Sequence, residues 1–283
     1  MAQDENDKLK SGALPRDPDE GCESVETDAP KVVTVRDGLR GAAQRAIQLA
    51  AKFISTGNRD LDDITGGFRP GEVWVMGAGT NWGKSSWLVS VTDEALKAGY
   101  RTLIVTAEDS DDIFFDRLLV RRARVSAKRF RQRCLDPDEL TRIDDVQRRG
   151  EAKPYVLNAI GKPVEWVTKQ IRQVVKEYGI DFVGVDYVQE IESKRRFTKE
   201  DQQIAYVARE LRACIKQLRI TGCLMSQLTL AVDERTGKTK CPNKLSVEGS
   251  KRVAKGAEMI VLGWTVGEGG AEGTNGDRCE EVS

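Results

Sequence analysis

Gly71-Glu72-Val73-Trp74-Val75-Met76-Gly77-Ala78-Gly79-Thr80-Asn81-Trp82-Gly83-Lys84-Ser85-Ser86 is the stretch that decides the fold. Val73 to Met76 is an apolar run and reads as a short buried strand. A glycine-containing turn follows. Gly83-Lys84-Ser85 then opens a segment whose apolar residues, Trp87, Leu88, Val91 and Ala95, fall at helical spacing. Strand, loop, Gly-Lys-Ser and helix together describe a phosphate-binding P-loop. Backbone N–H groups of the loop and the first helical turn converge on one point, and the helix dipole favours negative charge there. Gly83 lets the backbone approach a phosphate with no Cβ in the way. The pattern assigns a nucleotide to Ala78, Gly79, Thr80, Asn81, Trp82, Gly83, Lys84, Ser85 and Ser86. Lys84 would reach the β- and γ-phosphates of ATP, and the Ser85 hydroxyl would hold Mg2+. Ala78 stands where the usual pattern begins with glycine.

Forty-five Lys and Arg balance 45 Asp and Glu. Net charge therefore gives no hint of nucleic acid, and any site for it must be a local patch. A chain of 283 residues has room for one large domain or two small ones. No apolar run approaches the ~18 residues of a membrane span. The N-terminus, Met1 to Lys8, lacks the basic-then-apolar layout of a secretory signal. The expectation is an intracellular protein with no membrane partner. There is no histidine, and the six cysteines include no C-x-x-C pair. A Cys/His zinc site, a Ser-His-Asp triad and a histidine base are excluded. Acid–base chemistry falls to carboxylates, lysines or an oriented water.

Residues 1–35 are rich in charged and small residues and poor in large apolar ones. Such a segment cannot bury enough surface to offset its ordering entropy, and the expectation is a disordered tail. From Asp37 to Phe53, Leu39, Ala42, Ala43, Ala46, Ile47, Leu49, Ala50 and Phe53 fall at helical spacing, so residues 36–54 read as one amphipathic helix. Two roles stay open for it: packing on its own domain, or an arm on a neighbouring subunit. Residues 55–265 read as a single ATPase-type domain, and 266–283, rich in glycine and glutamate, as a flexible tail. Within that domain strand-like runs alternate with helix-like ones. The runs are Thr102–Thr106, Tyr155–Asn158, Phe182–Asp186, Cys223–Ser226 and Met259–Gly263. The intervening helices carry Ile113, Phe114, Leu118 and Leu119, then Trp166, Val167, Ile171, Val174 and Val175 with Pro163 near the first turn, then Ile204 to Leu218. Continuous apolar runs between amphipathic helices mean an α/β fold with a mostly parallel sheet covered on both faces.

In open parallel sheets, function collects at the carboxyl ends of the strands. Phe182-Val183-Gly184-Val185-Asp186 has the Walker B form, delivering a carboxylate that holds Mg2+ through water. Leu103-Ile104-Val105-Thr106-Ala107-Glu108 puts Glu108 at a second strand end, where it could orient or deprotonate the attacking water. Cys223-Leu224-Met225-Ser226-Gln227 puts the Gln227 amide at a third, within reach of a γ-phosphate.

Taken together these residues carry a resemblance. Thr56-Gly57 with Leu61-Asp62, the Ala78–Ser85 P-loop, Ala107-Glu108, Asp186-Tyr187-Val188-Gln189 and Ser226-Gln227-Leu228 resemble, in that order, the RecA-like P-loop ATPase domain of DnaB-type replicative helicases, over about Ile54 to Gly263. The resemblance implies an ATP-dependent DNA helicase motor domain that acts on single-stranded DNA in replication. It makes Glu108 the catalytic base, Asp186 the Mg2+ ligand and Gln227 the sensor coupling γ-phosphate to DNA. It also implies a homo-oligomeric, hexameric ring, contact with primase or other replisome proteins, and the cytoplasm of a bacterial or phage-infected cell. It turns the 36–54 helix into the linker that grips the adjacent subunit. Two departures stand out. No N-terminal domain of the helicase type precedes that helix, and beyond Gly263 the only basic residue is Arg278, where the family has a hairpin bearing the arginine finger. Hydrolysis is then slow, or completed by another polypeptide. A non-motor, nucleotide-dependent loader and a recombinase relative are the alternative readings.

Two loops follow strand ends that face the pore in that family. One carries Lys194, Arg195, Arg196, Phe197 and Lys199; the other, Asp233 to Lys255, carries Arg235, Lys238, Lys240, Lys244, Lys251, Arg252 and Lys255. Both could track a single strand by counterion release and stacking. A third basic run, Arg121 to Arg133, reads as a solvated face or a subunit contact.

Overall fold

The computed structural model describes residues 34–49, 53–150, 152–228, 240–243, 246, 253 and 256–264. Residues 1–49, of which the helix α1 (Val35–Leu49) is described, form one unit, and residues 50–283 form a second. The Thr34 hydroxyl accepts from Asp37 N at 3.2 Å and so caps α1 two residues earlier than the apolar spacing indicates. Phe53 lies outside the helix, because Ile54 next to it pairs with Phe68 in an antiparallel bridge.

In the second unit, β1 (Val73–Ala78), β2 (Thr102–Thr106), β3 (Tyr155–Asn158), β4 (Phe182–Asp186), β5 (Thr221–Gln227) and β6 (Met259–Gly263) form one sheet. Its order is β3-β2-β4-β5-β1-β6, and every pairing is parallel. Alternate residues serve opposite faces, as the strand period of two requires. Val73, Val75, Val105, Val183, Val185 and Leu224 pack with α7 (Val164–Tyr178) and α8 (Glu200–Leu218). Trp74, Met76, Ile104, Phe182 and Met225 pack on the other face with α3 (Lys84–Lys97) and α4 (Asp111–Ala123). Both faces are covered, so the strands read as unbroken apolar runs. Gly184, in the middle of β4, is where α3 lies flush on the sheet. A Cβ there would come within 2.7 Å of Leu88 and 3.0 Å of Ile104.

Among the helices not legible in the apolar spacing are α5 (Ala127–Arg131) and α6 (Pro137–Arg148). Asp136 accepts from Glu139 N at 2.8 Å while Asp136 N donates to the Glu139 carboxylate, a capping box with Pro137 in the first turn. A short helix, α2 (Arg59–Thr65), is capped by Asn58, and Asp62 closes its entry by accepting from Thr56 N at 2.9 Å and from the Ser55 hydroxyl. Pro163 is the N-cap of α7, next to its first turn. The basic run from Arg121 is also corrected in part. Arg122 is 8% exposed and donates to Asp93 of α3, itself 1% exposed, at 2.7 Å; Arg121 and Lys97 complete the cluster. Burial alone would raise the Asp93 pKa, but the hydrogen bonds from Lys97 and Arg122 hold it below the ordinary aspartate value. This part of the run braces α3 against α4 instead of facing solvent.

Candidate nucleotide-binding site

Because all strands are parallel, the carboxyl ends of β1, β2, β4 and β5 share one edge of the sheet. Registers Thr106↔Asp186, Gly77↔Ser226 and Ala78↔Gln227 bring the sequence-predicted residues together there. From Ala78 the chain enters the loop, passes Asn81 in the left-handed region (φ 60°), and reaches Gly83 at φ 102° before α3 begins. That φ needs glycine, and no side chain caps the helix, so its first-turn N–H groups are left to a ligand. The Trp82 indole lies against Gly263 of β6, where any Cβ would collide with the ring. It pegs the loop to the sheet edge.

Lys84 Nζ donates to the carbonyls of Ala78 and Gly79, each at 3.3 Å, and lies 5.6 Å from the centre of the Tyr187 ring. The ammonium group is thus held at the loop by contacts that phosphate oxygens can replace. Gln227 Nε2 donates to Thr80 Oγ1 at 3.0 Å, joining the end of β5 to the same loop. Glu108, just beyond β2, is exposed. Its pKa is raised by partial burial and by the carboxylates of Asp109, Asp186 and Glu190, with Lys84 opposing. Asp109 pairs with Arg117 of α4 at 2.7 Å.

Asp186 is buried, and burial pushes its carboxyl up, with a hydrogen bond from Ser85 and the charge of Arg117 working the other way. Its Oδ1 has no hydrogen-bond partner, and neither does Oγ1 of Thr106, its register partner on β2. A buried carboxylate oxygen without a partner, beside the Ser85 hydroxyl, fits a hard cation that prefers oxygen ligands. Among the described residues no group of three or more His, Cys, Asp or Glu could hold a metal by itself. The fit is therefore to Mg2+ arriving with a nucleotide and keeping most of its water.

Both basic loops leave from this edge. The first is anchored rather than free. Lys194 N donates to Glu165 of α7 at 3.2 Å, Arg195 lies 4.9 Å from the Tyr206 ring centre on α8, and Phe197 packs on that ring at 5.4 Å. Lys194, Arg196 and Lys199 are exposed. In the second loop Lys240 is exposed, while Arg235, Lys238, Lys244, Lys251, Arg252 and Lys255 lie outside the described residues. The root after it is tied to α8, Arg212 Nη1 reaching the Val253 carbonyl at 2.5 Å and Lys216 Nζ the Gly256 carbonyl at 3.1 Å. Spacing alone did not single out Tyr187, Thr106 or the Asp109–Arg117 pair for this edge.

Three comparisons bear on this site. A family model described as the DnaB-like helicase C-terminal domain matches residues 54–265. The replicative DNA helicase DnaB of Leifsonia xyli subsp. xyli is 25% identical over 211 residues, 74% of this chain and 46% of that protein. DnaB of Geobacillus stearothermophilus is 24% identical over 212 residues, 74% of this chain and 46% of that protein. The chain thus spans less than half the length of these relatives. Among solved structures, an ATPase domain superposes with a TM-score of 0.72 at 16% identity, covering 82% of this chain and 84% of that one. A DnaB-like replicative helicase, solved in a study of its interactions with primase, superposes at 0.69 and 18% identity, covering 82% and 57%. At those identities the superpositions show the fold alone. The sequence match takes in all six strands and the whole P-loop edge, and on that ground the chain belongs to the family of DnaB-like helicase C-terminal domains.

Proposed function

We propose that this chain is the ATP- and Mg2+-dependent motor domain of a replicative helicase, hydrolysing ATP and moving on single-stranded DNA. The observation that carries this reading is the partnerless, buried Oδ1 of Asp186 beside Ser85, on the same sheet edge as Lys84, Glu108 and Gln227. Ser85 and, through water, Asp186 would hold Mg2+, which when bound would supply positive charge against the phosphates of the nucleotide. Lys84 exchanges the carbonyls of Ala78 and Gly79 for phosphate oxygens. The first-turn N–H groups of α3 bind the remaining phosphate charge. Glu108, its pKa raised toward the working range of a general base, orients the attacking water and takes its proton. Gln227, which donates to Thr80 of the loop, would respond to whether the γ-phosphate is present. Lys194, Arg195, Arg196 and Lys199 of the first loop, and Lys240 with the rest of the second, contact the strand's phosphates.

The working form on this reading is a homo-oligomeric, hexameric ring, in which α1 supplies the arm to the adjacent subunit, and hydrolysis is slow or completed by another polypeptide. Partners are single-stranded DNA and replisome proteins such as primase, and the compartment is the cytoplasm. No helix of the described residues is long and apolar enough to cross a membrane. The test is Glu108→Gln. ATP binding is retained and DNA-stimulated turnover falls by about 100-fold or more; turnover equal to wild type would remove Glu108 from the chemistry.

A further inference from the structure

The ladder between β4 and β5 stops at Val185↔Leu224, because β4 delivers Asp186 to the site and turns away through a 3-10 turn, Val188–Glu190. β5 continues to Gln227. One side of its end is held by β1, with Leu228 N donating to the Ala78 carbonyl at 3.0 Å. The other side has lost its strand, and the side chain of Gln189 takes the strand's place. Its Oε1 accepts from Gln227 N at 3.3 Å, and its Nε2 donates to Ser226 Oγ at 2.9 Å and reaches the Gln227 carbonyl at 3.5 Å. One amide therefore grips the backbone of the residue whose own amide donates to Thr80 of the P-loop. The line Gln189–Gln227–Thr80 runs from the root of the first basic loop to the phosphate loop. Glu192, where that loop begins, is docked on α7 by Val164 N at 2.9 Å, and the second basic loop follows Leu228.

We propose that Gln189 is a positioning residue: it holds Gln227 at the P-loop and ties the state of the nucleotide to the two basic loops. The proposal rests on the motor reading above. An apolar side chain of the same length at 189 leaves Gln227 N–H and the Ser226 hydroxyl without this partner. The end of β5 is then fixed on the β1 side only, and Gln227 no longer reports the γ-phosphate to the chain that follows it. Gln189 touches no reacting atom, so its removal acts on coupling and not on nucleotide affinity.

The experiment measures the affinity of the full chain for a fluorescent oligo-dT strand by anisotropy, with Mg2+ and either ADP or a non-hydrolysable ATP analogue. Analogue affinity is titrated separately. In the wild type the two nucleotides change DNA affinity by about 10-fold, inside the usual range of site-to-site coupling. Gln189→Met reduces that ratio to less than about twofold while analogue affinity stays within about twofold. Ser226→Ala, which removes one of the partners of Gln189, gives a smaller loss, and the double variant is no worse than Gln189→Met alone. A ratio that survives Gln189→Met overturns the inference and leaves the motor reading standing. A ratio lost only in step with analogue affinity also overturns it, since a structural defect does the same. A wild type without any nucleotide effect on DNA affinity overturns the motor reading and the inference together.

Discussion

Asp186, at the end of β4, stands beside Ser85, at the start of α3, where helix and sheet approach closely, and its Oδ1 has no hydrogen-bond partner at all. The close approach depends on Gly184, two residues earlier in the same strand, against Leu88 of the helix. A buried charge with an unused oxygen is costly in the nucleotide-free protein.

Asp186→Asn is therefore expected to stabilise the nucleotide-free protein by about 1 kcal/mol, raising Tm by roughly 2–4 °C. The same change is expected to abolish the extra stabilisation that wild type gains from Mg2+ with ATP. Thermal unfolding with and without Mg2+ and nucleotide checks both halves. A variant less stable than wild type without nucleotide would mean the Asp186 carboxylate is satisfied there.

Asp93 is the opposite case, a buried carboxylate whose partners are all present. Asp93→Ala removes the buried carboxylate shared by Arg122, Arg121 and Lys97 and is expected to cost about 3 kcal/mol, or roughly 6–12 °C in Tm. The pH dependence has a definite sign. The folded pKa lies below the ordinary aspartate value of 3.8, so the contribution is complete above that value and is lost as pH falls through the lower folded one. Urea melts of wild type and variant at neutral pH and near pH 3 measure it; the gap should narrow in acid.

Gly263→Ala drives a methyl group into the Trp82 ring. Overpacking of this kind costs about 1–3 kcal/mol, and here the group displaced is the peg of the phosphate loop. Nucleotide affinity should fall by about 10-fold, with a shift in tryptophan emission, and Trp82→Ala in the same chain should recover part of the loss. Unchanged affinity would show that the loop holds its shape without the peg.

The strands were legible because a parallel sheet buried on both faces leaves each as an uninterrupted apolar run. Thr102–Thr106, Tyr155–Asn158, Phe182–Asp186 and Met259–Gly263 have the same ends in the structure as in the sequence. β5 begins earlier, at Thr221, because a polar residue and Gly222 can pair in a ladder without adding to the apolar signal. Strand order was not legible, since neighbours in a parallel sheet are chosen by the path of the crossovers. α6 was passed over because its signal lies in the cap, Asp136 to Glu139, and its helix buries little. The pairing of Arg122 with Asp93 joins residues far apart in sequence, and a charge pattern says nothing of burial. In the site, backbone-defined features such as Gly83 and the strand-end carboxylates could be read directly. Gln189 could not be given a part, because its task is set by the neighbouring strand and not by its own.

The central claim, a nucleotide-hydrolysing motor completed between subunits, is tested most directly by ATP turnover over a protein concentration series, with and without single-stranded DNA, beside Lys84→Ala. Turnover that rises more steeply than in proportion to protein, increases with DNA and vanishes in the variant is the predicted result. Tight ATP binding with negligible turnover at every concentration, DNA present or not, would contradict it.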